Sequence, residues 1–405
     1  MIYDFTVVGG GIVGLSTAMT LTQRFSDAHI LVLEKESRWA FHQSGHNSGV
    51  IHSGIYCKPG SYKAKFSRAG HDSLIHFCDE NGIPYKICGK LVIARNAEEA
   101  PRLEFSLQRG LANGLNLRRI GPEEIREIEP HVHAPAAIHV PEAGIVDYRQ
   151  VCQRFVQIIA DHGGDLRLNT KVERLRQNGS ALIVHTNNGE FETRFLIACA
   201  GLYADRLQQM ERFEEKVRTL PFRGDYYDLK PQRSFLVKSL IYPLPHPIFP
   251  FLGVHLVRSL NDHVHAGPNA VLNPSREGYD GQFNVREFGE AVFSPGIWRF
   301  ARKYWREGAA EMWRSLNKTA FLRAVQQLVP EIQDADLEAS PSGIRAQTFS
   351  SDGNMMDDFV FVDGAHSIHV LNAPSPAATC CIEIGRAVVD KVASRYDGSI
   401  ALNQG

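Results

Sequence analysis

A glycine-rich turn near the N-terminus constrains the fold of this chain more than any other feature of its sequence. Gly9, Gly11 and Gly14 form the pattern G-x-G-x-x-G between a short apolar run, DFTVV, and a segment of helical character. A second apolar run, HILVLE, follows and ends at Glu34. This order predicts a βαβ unit. In such a unit the first glycine permits a tight turn, the second admits a pyrophosphate, and the third lets helix pack on strand.

The acidic residue at the end of the second strand completes a dinucleotide-binding fingerprint. Glu34 follows Gly14 at the usual separation of about 20 residues, where a carboxylate accepts hydrogen bonds from the ribose hydroxyls of adenosine. Its charge would repel a 2′-phosphate, which disfavours NADP. Lys35 is expected beside the adenosine end of the same cofactor. The fingerprint alone leaves NAD and FAD as alternatives.

The composition excludes several classes of protein. With 405 residues, 43% hydrophobic and 22% charged, the chain has the balance of a globular protein of two or three domains. Its 44 basic and 45 acidic residues give a net charge of −1, so a nucleic acid partner is not expected. Seven cysteines without a C-x-x-C pair predict reduced thiols, a cytoplasmic location and no metal site. No run reaches the roughly 18 apolar residues of a membrane span.

The pattern of strands and helices predicts two domains, both discontinuous in sequence. Three blocks combine apolar strands with helices, and two intervening stretches are richer in glutamate or in proline, aromatics and histidine. We interpret the blocks as an α/β nucleotide-binding domain and the stretches as an inserted, sheet-containing substrate domain. The nucleotide-binding blocks are residues 1–85, 147–220 and 340–405, and the substrate domain comprises residues 86–146 and 221–339.

Three local structures inside the nucleotide-binding blocks are predicted individually. Residues 165–177, DLRLNTKVERLRQ, are expected to form one strand, and Asn188-Gly189 to form the turn of the hairpin that follows. A helix is expected from about Ala377 to Ser394, so that the segment before it leads into the helix N-terminus.

The segment after the βαβ unit carries a resemblance to a known family. Residues 40–70 read AFHQSGHNSGVIHSGIYCKPGSYKAKFSRAG. The run GHNSGVIHSGIY resembles the second flavin-contacting stretch of the FAD oxidoreductases of the D-amino-acid oxidase superfamily, and in detail the L-2-hydroxyglutarate dehydrogenase/oxidase family. Further runs similar to that family extend over nearly the whole chain: GIVDYRQV (144–151), CAGLYADR (199–206), PFRGDYY (221–227), PFLGVHL (250–256), GPNAVL (267–272), GIRAQ (343–347) and NAPSPAAT (372–379).

The resemblance implies FAD as the cofactor and a glutathione-reductase-type, Rossmann-like fold for the domain that holds it. The alternation of small residues over 44–49 agrees with this, because it lets backbone lie against a flat ring and leaves polar atoms for phosphate and ribityl oxygens. The residues expected to contact FAD, besides the fingerprint, are Ser44, Asn47, Ser48 and Gly49 in this loop, Val172 at the adenine, Ala200 and Gly201 at the pyrophosphate, and Ser375, Ala377 and Ala378, whose N–H groups would face the flavin N1 and C2 carbonyl.

Three side chains are candidates for the chemistry. Oxidising a secondary alcohol requires removal of the hydroxyl proton as hydride leaves the carbon, and a neutral imidazole suits that role. His52 is expected to be this base, because flavoenzymes that resemble this chain often carry a histidine there; His255 is the alternative. Arg345 occupies the place of the arginine that clamps the substrate α-carboxylate in amino-acid oxidases of the superfamily. A purely structural role is the competing interpretation for each.

The resemblance implies oxidation of L-2-hydroxyglutarate to 2-oxoglutarate, with hydride passing to flavin N5 and electrons then passing to a membrane quinone or to oxygen. The substrate would be a small dicarboxylate, held by Arg345 and by a second basic group that the sequence does not identify. The expected location is the cytoplasm, peripherally at the inner membrane. The alternatives are an amine or amino-acid oxidoreductase of the same superfamily and a non-catalytic nucleotide-binding protein. With His52 as base, an unperturbed pKa predicts that kcat/KM falls below about pH 6.5.

Overall fold

The computed structural model describes residues 1–211, 213, 217–245, 253–279, 281–350 and 352–396, and the statements below concern these residues. The predicted segments 250–252 of PFLGVHL and 397–405 of the last block lie outside them. The helices are α1 (Ile12–Arg24), α2 (Tyr62–Glu80), α3 (Arg102–Ala112), α4 (Pro122–Ile128), α5 (Tyr148–Asp161), α6 (Ala204–Met210), α7 (Val285–Val292), α8 (Pro295–Leu316), α9 (Lys318–Gln326) and α10 (Cys381–Ala393). The strands are β1 (Ile2–Val8), β2 (Ile30–Leu33), β3 (Val50–Ile51), β4 (Tyr85–Ile87), β5 (Lys90–Ala94), β6 (Arg118–Ile120), β7 (Ala136–Val140), β8 (Gly144–Val146), β9 (Asp165–Arg167), β10 (Val172–Asn178), β11 (Ala181–Thr186), β12 (Gly189–Ala198), β13 (Arg218–Leu229), β14 (Leu240–Pro243), β15 (His255–Arg258), β16 (Val264–Gly267), β17 (Val271–Leu272), β18 (Leu337–Phe349), β19 (Val360–Asp363) and β20 (Ser367–Asn372).

The first sheet contains the βαβ unit at the N-terminus. Its parallel centre has the order β9, β2, β1, β12 and β20, and the antiparallel strands β10, β11 and β19 extend it. Nearly all residues of β1 and β2 are buried, because α1, α5 and α10 cover one face while side chains of β10, β11 and α6 pack on the other. A parallel sheet requires such cover on both faces. The predicted α/β fold is confirmed.

The second sheet is mostly antiparallel, with the order β6, β7, β5, β14, β15, β16 and β13. β18 pairs with β13 along the whole length of β13, and β17 pairs with its first half. A small third sheet joins β3, β8 and β4. β13 and β18 cross the predicted borders at 220/221 and 339/340, and the division into domains stays a prediction.

The local predictions differ from the structure at three places. Residues 165–177 form two strands, β9 and β10, because the chain turns at Asn169, whose φ of 54° lies in the left-handed region. The C-terminal helix begins at Cys381 rather than at Ala377, since residues 375–380 form a turn in which Ala377 N–H donates to the Pro374 carbonyl. The hairpin between β11 and β12 is confirmed, but its two turn residues are Asn187 and Asn188, one position earlier than predicted, because Gly189 already pairs with Thr186. None of the helices in the described ranges combines the length and apolar character needed to span a membrane.

Candidate active site

A cavity of about 1830 Å³ is lined by residues of both sheets and of the loops between them. It is larger than the roughly 300–1,000 Å³ of an ordinary small-ligand pocket, which gives room for a dinucleotide and a substrate. The predicted site residues that line it are Gly9, Gly11, Glu34, Lys35, Ser44, Asn47, Ser48, His52, Val172, Ala200, Gly201, His255, Arg345, Ser375, Ala377 and Ala378. Gly14 and Gly49, also predicted, do not lie on its wall and have packing roles described below.

The three fingerprint glycines occupy the turn from β1 into α1, each for a different reason. Gly9 has φ of +115°, and a side chain there would collide with the Cys199 carbonyl. A Cβ on Gly14 would collide with the Gly9 carbonyl, so this glycine permits helix and strand to touch. A Cβ on Gly11 would meet only Ser44 Oγ, at 3.3 Å. The open space over Gly11 at a helix N-terminus is suited to a phosphate group.

Glu34 is oriented by backbone donors. Gly10 N–H donates to Glu34 Oε2 at 2.7 Å, and Glu36 N–H donates to Oε1 at 2.9 Å. Each carboxylate oxygen retains further acceptor capacity, and the residue lines the cavity where ribose hydroxyls are expected. The bonds therefore fix the carboxylate in place for a ligand.

Lys35 lies in a charged cluster at the same part of the cavity. Its ammonium contacts the carboxylates of Glu36 and Glu277 and lies 3.0 Å from His42 Nε2. Burial opposes the charge, but the two carboxylates outweigh it and raise the pKa of Lys35. Among the described residues, Glu36, His42 and Glu277 form the group whose ligand atoms lie close enough together to hold a metal ion. The Lys35 ammonium contacts both carboxylates of this group and offsets part of their negative charge.

The predicted flavin loop is held mainly by its own hydrogen bonds. Ser44 Oγ accepts from Ile12 N–H at 2.8 Å and so caps α1. Asn47 donates to the Ser44 carbonyl at 2.8 Å and accepts from Gly49 N–H at 2.9 Å. Gly49 has φ of +68°, and a Cβ there would lie 2.7 Å from the Val146 carbonyl. Asn47 and Gly49 thus shape the loop, while Ser48 faces the cavity beside Tyr242.

The turn before α10, residues 375–380, borders the cavity and is hydrogen-bonded to the backbone of His52. Ser375, Ala377 and Ala378 all line the cavity from this turn, but Ala377 N–H already donates to the Pro374 carbonyl. Thr379 Oγ1 accepts from His52 N–H at 3.1 Å and contacts the Tyr148 hydroxyl at 2.9 Å. Thr379 therefore fixes the backbone of His52, a connection the sequence did not reveal.

His52 and His255 line one region of the cavity. His52 is half-buried, whereas His255 is 4% exposed and stacks on Tyr242 with ring centroids 3.9 Å apart. His255 Nδ1 lies 3.1 Å from the Gly253 carbonyl, which assigns the proton to Nδ1 and leaves Nε2 as an acceptor. Burial, with the charge of Lys90 contributing, lowers the pKa of His52 to about 3. Burial also lowers the pKa of His255 to about 3. Both imidazoles are neutral at pH 7.

Arg345 lies on β18, opposite Phe222 of β13, and faces the same region. Its guanidinium contacts Tyr226, whose pKa is raised by burial and held down in part by this arginine. The neighbouring Ala346 N–H donates to Gln43 Oε1 at 2.9 Å, which ties β18 to the flavin loop. Gln43 is a further residue that the sequence did not single out.

Lys90 is the functional candidate that the sequence analysis missed most clearly. It begins β5, in the run GKLVIA, and its side chain lines the cavity although it is only 1% exposed. Burial lowers the pKa of Lys90 to about 8. A lysine inside an apolar strand was the available signal, because lysine is rarely buried without a partner.

The comparisons with known proteins agree with this geometry. The sequence model of the FAD dependent oxidoreductase family matches residues 4–391. The L-2-hydroxyglutarate dehydrogenase of Indibacter alkaliphilus is 46% identical over 399 residues, 98% of this chain and 100% of that protein. The mitochondrial L-2-hydroxyglutarate dehydrogenase of Homo sapiens is 41% identical over 414 residues, 98% of this chain and 89% of that protein. Among solved structures, L-α-glycerophosphate oxidase from Mycoplasma pneumoniae with FAD bound superposes with a TM-score of 0.81 at 22% identity, over 100% of this chain and 97% of that one.

The fingerprint turn, the large cavity and the sheet above it define a flavin-dependent oxidoreductase. The chain belongs to the FAD dependent oxidoreductase family, and FAD is its cofactor. Within that family it belongs with the L-2-hydroxyglutarate dehydrogenases, since relatives of that name match almost its whole length at 41–46% identity. NAD and the non-catalytic alternative are thereby set aside.

Proposed function

We propose that this enzyme oxidises L-2-hydroxyglutarate to 2-oxoglutarate. The observation that carries the proposal is the convergence of an arginine and two neutral histidines on one region of the FAD cavity. A guanidinium can bind the carboxylate of a 2-hydroxy acid through two parallel hydrogen bonds, in bidentate geometry, and an imidazole can accept the hydroxyl proton. The names of the full-length relatives supply the particular hydroxy acid.

The roles of the side chains follow from their surroundings. Arg345 binds the carboxylate next to the hydroxyl. His52 takes the hydroxyl proton, because His52 is only half-buried as a residue on the cavity wall, whereas His255 is 4% exposed. His255, held by Gly253 and Tyr242, orients the hydroxyl through Nε2. When bound, FAD would supply the acceptor for the hydride from the same carbon, so that the hydride and the hydroxyl proton together remove two electrons and two protons from the alcohol.

The cofactor contacts also belong to this proposal. Gly9, Gly11 and Ser44 would hold the pyrophosphate with Ala200 and Gly201, Glu34 the ribose, and Val172 the adenine. Ser48, Ser375 and Ala378 would face the ring system. We assign the first sheet to the cofactor domain and the second to the substrate domain, with the borders predicted from sequence.

The function is tested by anaerobic reduction of the bound flavin. The purified holoenzyme is mixed with L-2-hydroxyglutarate, D-2-hydroxyglutarate or L-glutamate, and the visible absorbance of oxidised flavin is followed. We expect rapid bleaching with the L-hydroxy acid alone. L-Glutamate carries the same two carboxylates with an amine in place of the hydroxyl, so bleaching by glutamate in its place would establish the amino-acid oxidoreductase alternative.

We further propose that a membrane quinone receives the electrons, with the enzyme peripheral to an anionic membrane. A surface formed by α7 and α8 supports this. Trp305 and Trp313 on α8 are 62% and 61% exposed, and exposed basic residues lie among them. Aromatic side chains alternating with cations are typical of helices that lie in a membrane interface. The exposed residues of this surface are Phe288, Phe293, Trp298, Arg299, Arg302, Lys303, Trp305, Arg306, Met312, Trp313 and Leu316.

A further inference from the structure

Lys90 carries a buried ammonium group that contacts no carboxylate of the described residues. The side chain is 1% exposed, and its Nζ lies 5.0 Å from the ring centroids of both Tyr56 and Tyr242. No hydrogen bond or carboxylate contact to this ammonium occurs within the described part of the chain. Aromatic faces stabilise a cation only partly, and an unpaired buried charge is costly. A lysine retained in this position on a cavity wall is therefore suited to an anionic ligand.

The strand order places Lys90 and Arg345 on opposite sides of His255. From Arg345 on β18, the second sheet continues through β13, β16 and β15 to β14 and to Lys90 on β5. His255 begins β15, between the two cations. Arg345, His255 and Lys90 all line the cavity, and after burial the charges of Arg345 and Lys90 both contribute to lowering the pKa of His255. This arrangement matches a ligand with a carboxylate at each end and a hydroxyl-bearing carbon near the imidazole.

Other cations on this part of the wall are already engaged. Lys63 pairs with Asp357 at 3.0 Å. Arg102 donates to the Pro245 carbonyl at 2.7 Å, and Arg109 donates to the Tyr56 carbonyl at 3.3 Å. Of these four cations, Lys90 is the one whose ammonium has no hydrogen-bond or ionic partner in the described ranges.

We propose that Lys90 binds the second carboxylate of the substrate and thereby makes the enzyme selective for dicarboxylic over monocarboxylic 2-hydroxy acids. This rests on the proposed function. Pairing both cations with carboxylates also removes the charges that lower the pKa of His255, so that a bound dicarboxylate leaves the imidazoles more basic than a monocarboxylate does.

The first test compares substrates that differ only in the second carboxylate. The ratio of kcat/KM for L-2-hydroxyglutarate to that for L-2-hydroxypentanoate is measured in the wild-type holoenzyme and in Lys90→Met. We expect the ratio to fall about 10²- to 10³-fold, the usual effect of losing one partner of a buried ion pair. Arg345→Lys should weaken both substrates and leave the ratio within about threefold. Lys86→Met, which removes an exposed lysine four residues away, is the matched control and should change neither.

Stability separates a binding role from a structural one. Because burial lowers the pKa of Lys90, its charged form opposes folding, and Lys90→Met should retain FAD with a thermal midpoint no lower than that of the wild type. A structural lysine predicts a lower midpoint and an unchanged ratio, and that result would overturn the proposal.

The second test uses the wild type alone and decides the matter even if Lys90→Met fails to fold. Binding of glutarate and of pentanoate is measured from the perturbation of the flavin spectrum across pH 6 to about 10. The groups that face Lys90 do not titrate near pH 8, because burial raises the pKa values of Tyr56, Cys57 and Tyr242 and lowers those of His52 and His255 to about 3. The Kd of glutarate alone should rise above about pH 8, by up to tenfold per pH unit, as Lys90 loses its proton.

The outcomes distinguish the two proposals. If the wild type fails to oxidise L-2-hydroxyglutarate but binds glutarate with this pH dependence, the proposed function is wrong and the carboxylate site stands. If it oxidises the substrate while glutarate and pentanoate bind with the same pH dependence, the role of Lys90 is wrong and the function stands.

Discussion

At the scale of single residues, the protonation of two imidazoles decides how the site works. An isolated histidine would gain a proton near pH 6.5, but burial and neighbouring cations lower the pKa values of His52 and His255 to about 3. A base must be neutral to accept a proton. The lowered pKa therefore extends the active form to lower pH, and the acid limb near pH 6.5 predicted from sequence is corrected downwards.

We expect kcat/KM for L-2-hydroxyglutarate to stay level from pH 7 down to about pH 5, because the free enzyme's imidazoles remain neutral there.

His52→Gln should slow anaerobic flavin reduction by about 10²- to 10⁴-fold, the usual contribution of a positioned base, with FAD still bound. His255→Gln is the companion variant and should cause the smaller loss. Stopped-flow rates of both variants check this. A wild-type rate in His52→Gln together with a large loss in His255→Gln would make His255 the base.

At the scale of elements, the turn between β1 and α1 combines a glycine that packing requires with a glycine that faces the cavity. Gly14 is needed for α1 to touch β1, whereas Gly11 faces open space in the cavity. A side chain at Gly11 would occupy the expected place of the pyrophosphate without a clash against protein backbone.

Gly11→Val should therefore fold and lose FAD. We expect the purified variant to contain less than about a tenth of the wild-type flavin, while its circular dichroism retains the wild-type α/β content. Gly121→Ala, at the N-terminus of α4 with nothing within 4 Å of the new methyl group, is the control and should keep its flavin. Full flavin content in Gly11→Val would show that the phosphate lies elsewhere.

At the scale of the whole molecule, the exposed surface of α7 and α8 decides whether the enzyme meets a membrane. Cations draw a protein towards anionic lipid over a distance limited by salt, and aromatic side chains then insert at the interface. This surface is attached to the second sheet, because α8 packs against β17.

We expect the holoenzyme to sediment with phosphatidylcholine vesicles that contain phosphatidylglycerol, more weakly with phosphatidylcholine alone, and less at high salt. Replacing Trp305 and Trp313 together by serine should weaken vesicle binding about tenfold and leave flavin reduction by substrate unchanged. Phe235→Ser removes another exposed aromatic side chain, on a different surface, and serves as the control. Equal sedimentation of all three proteins, independent of lipid charge, would contradict the membrane surface.

The sequence by itself determined the cofactor turn, because its parts are close in the chain. Gly9, Gly11, Gly14 and Glu34 belong to one strand–turn–helix–strand unit, so their spacing alone encodes their geometry. The resemblance of the following loop then indicated FAD and the family, both confirmed.

Only the tertiary structure decided the end of the cavity that we propose binds the substrate. Lys90, His255 and Arg345 come from strands that are far apart in the chain. Their charges can act on one ligand only because the second sheet brings β5, β15 and β18 to one wall of the cavity. Lys90 is one polar residue in an apolar run until its burial, and the absence of an ionic partner for it in the described part of the chain, are known. The pKa values of the histidines likewise depend on desolvation and on cations from other strands, which local sequence does not encode.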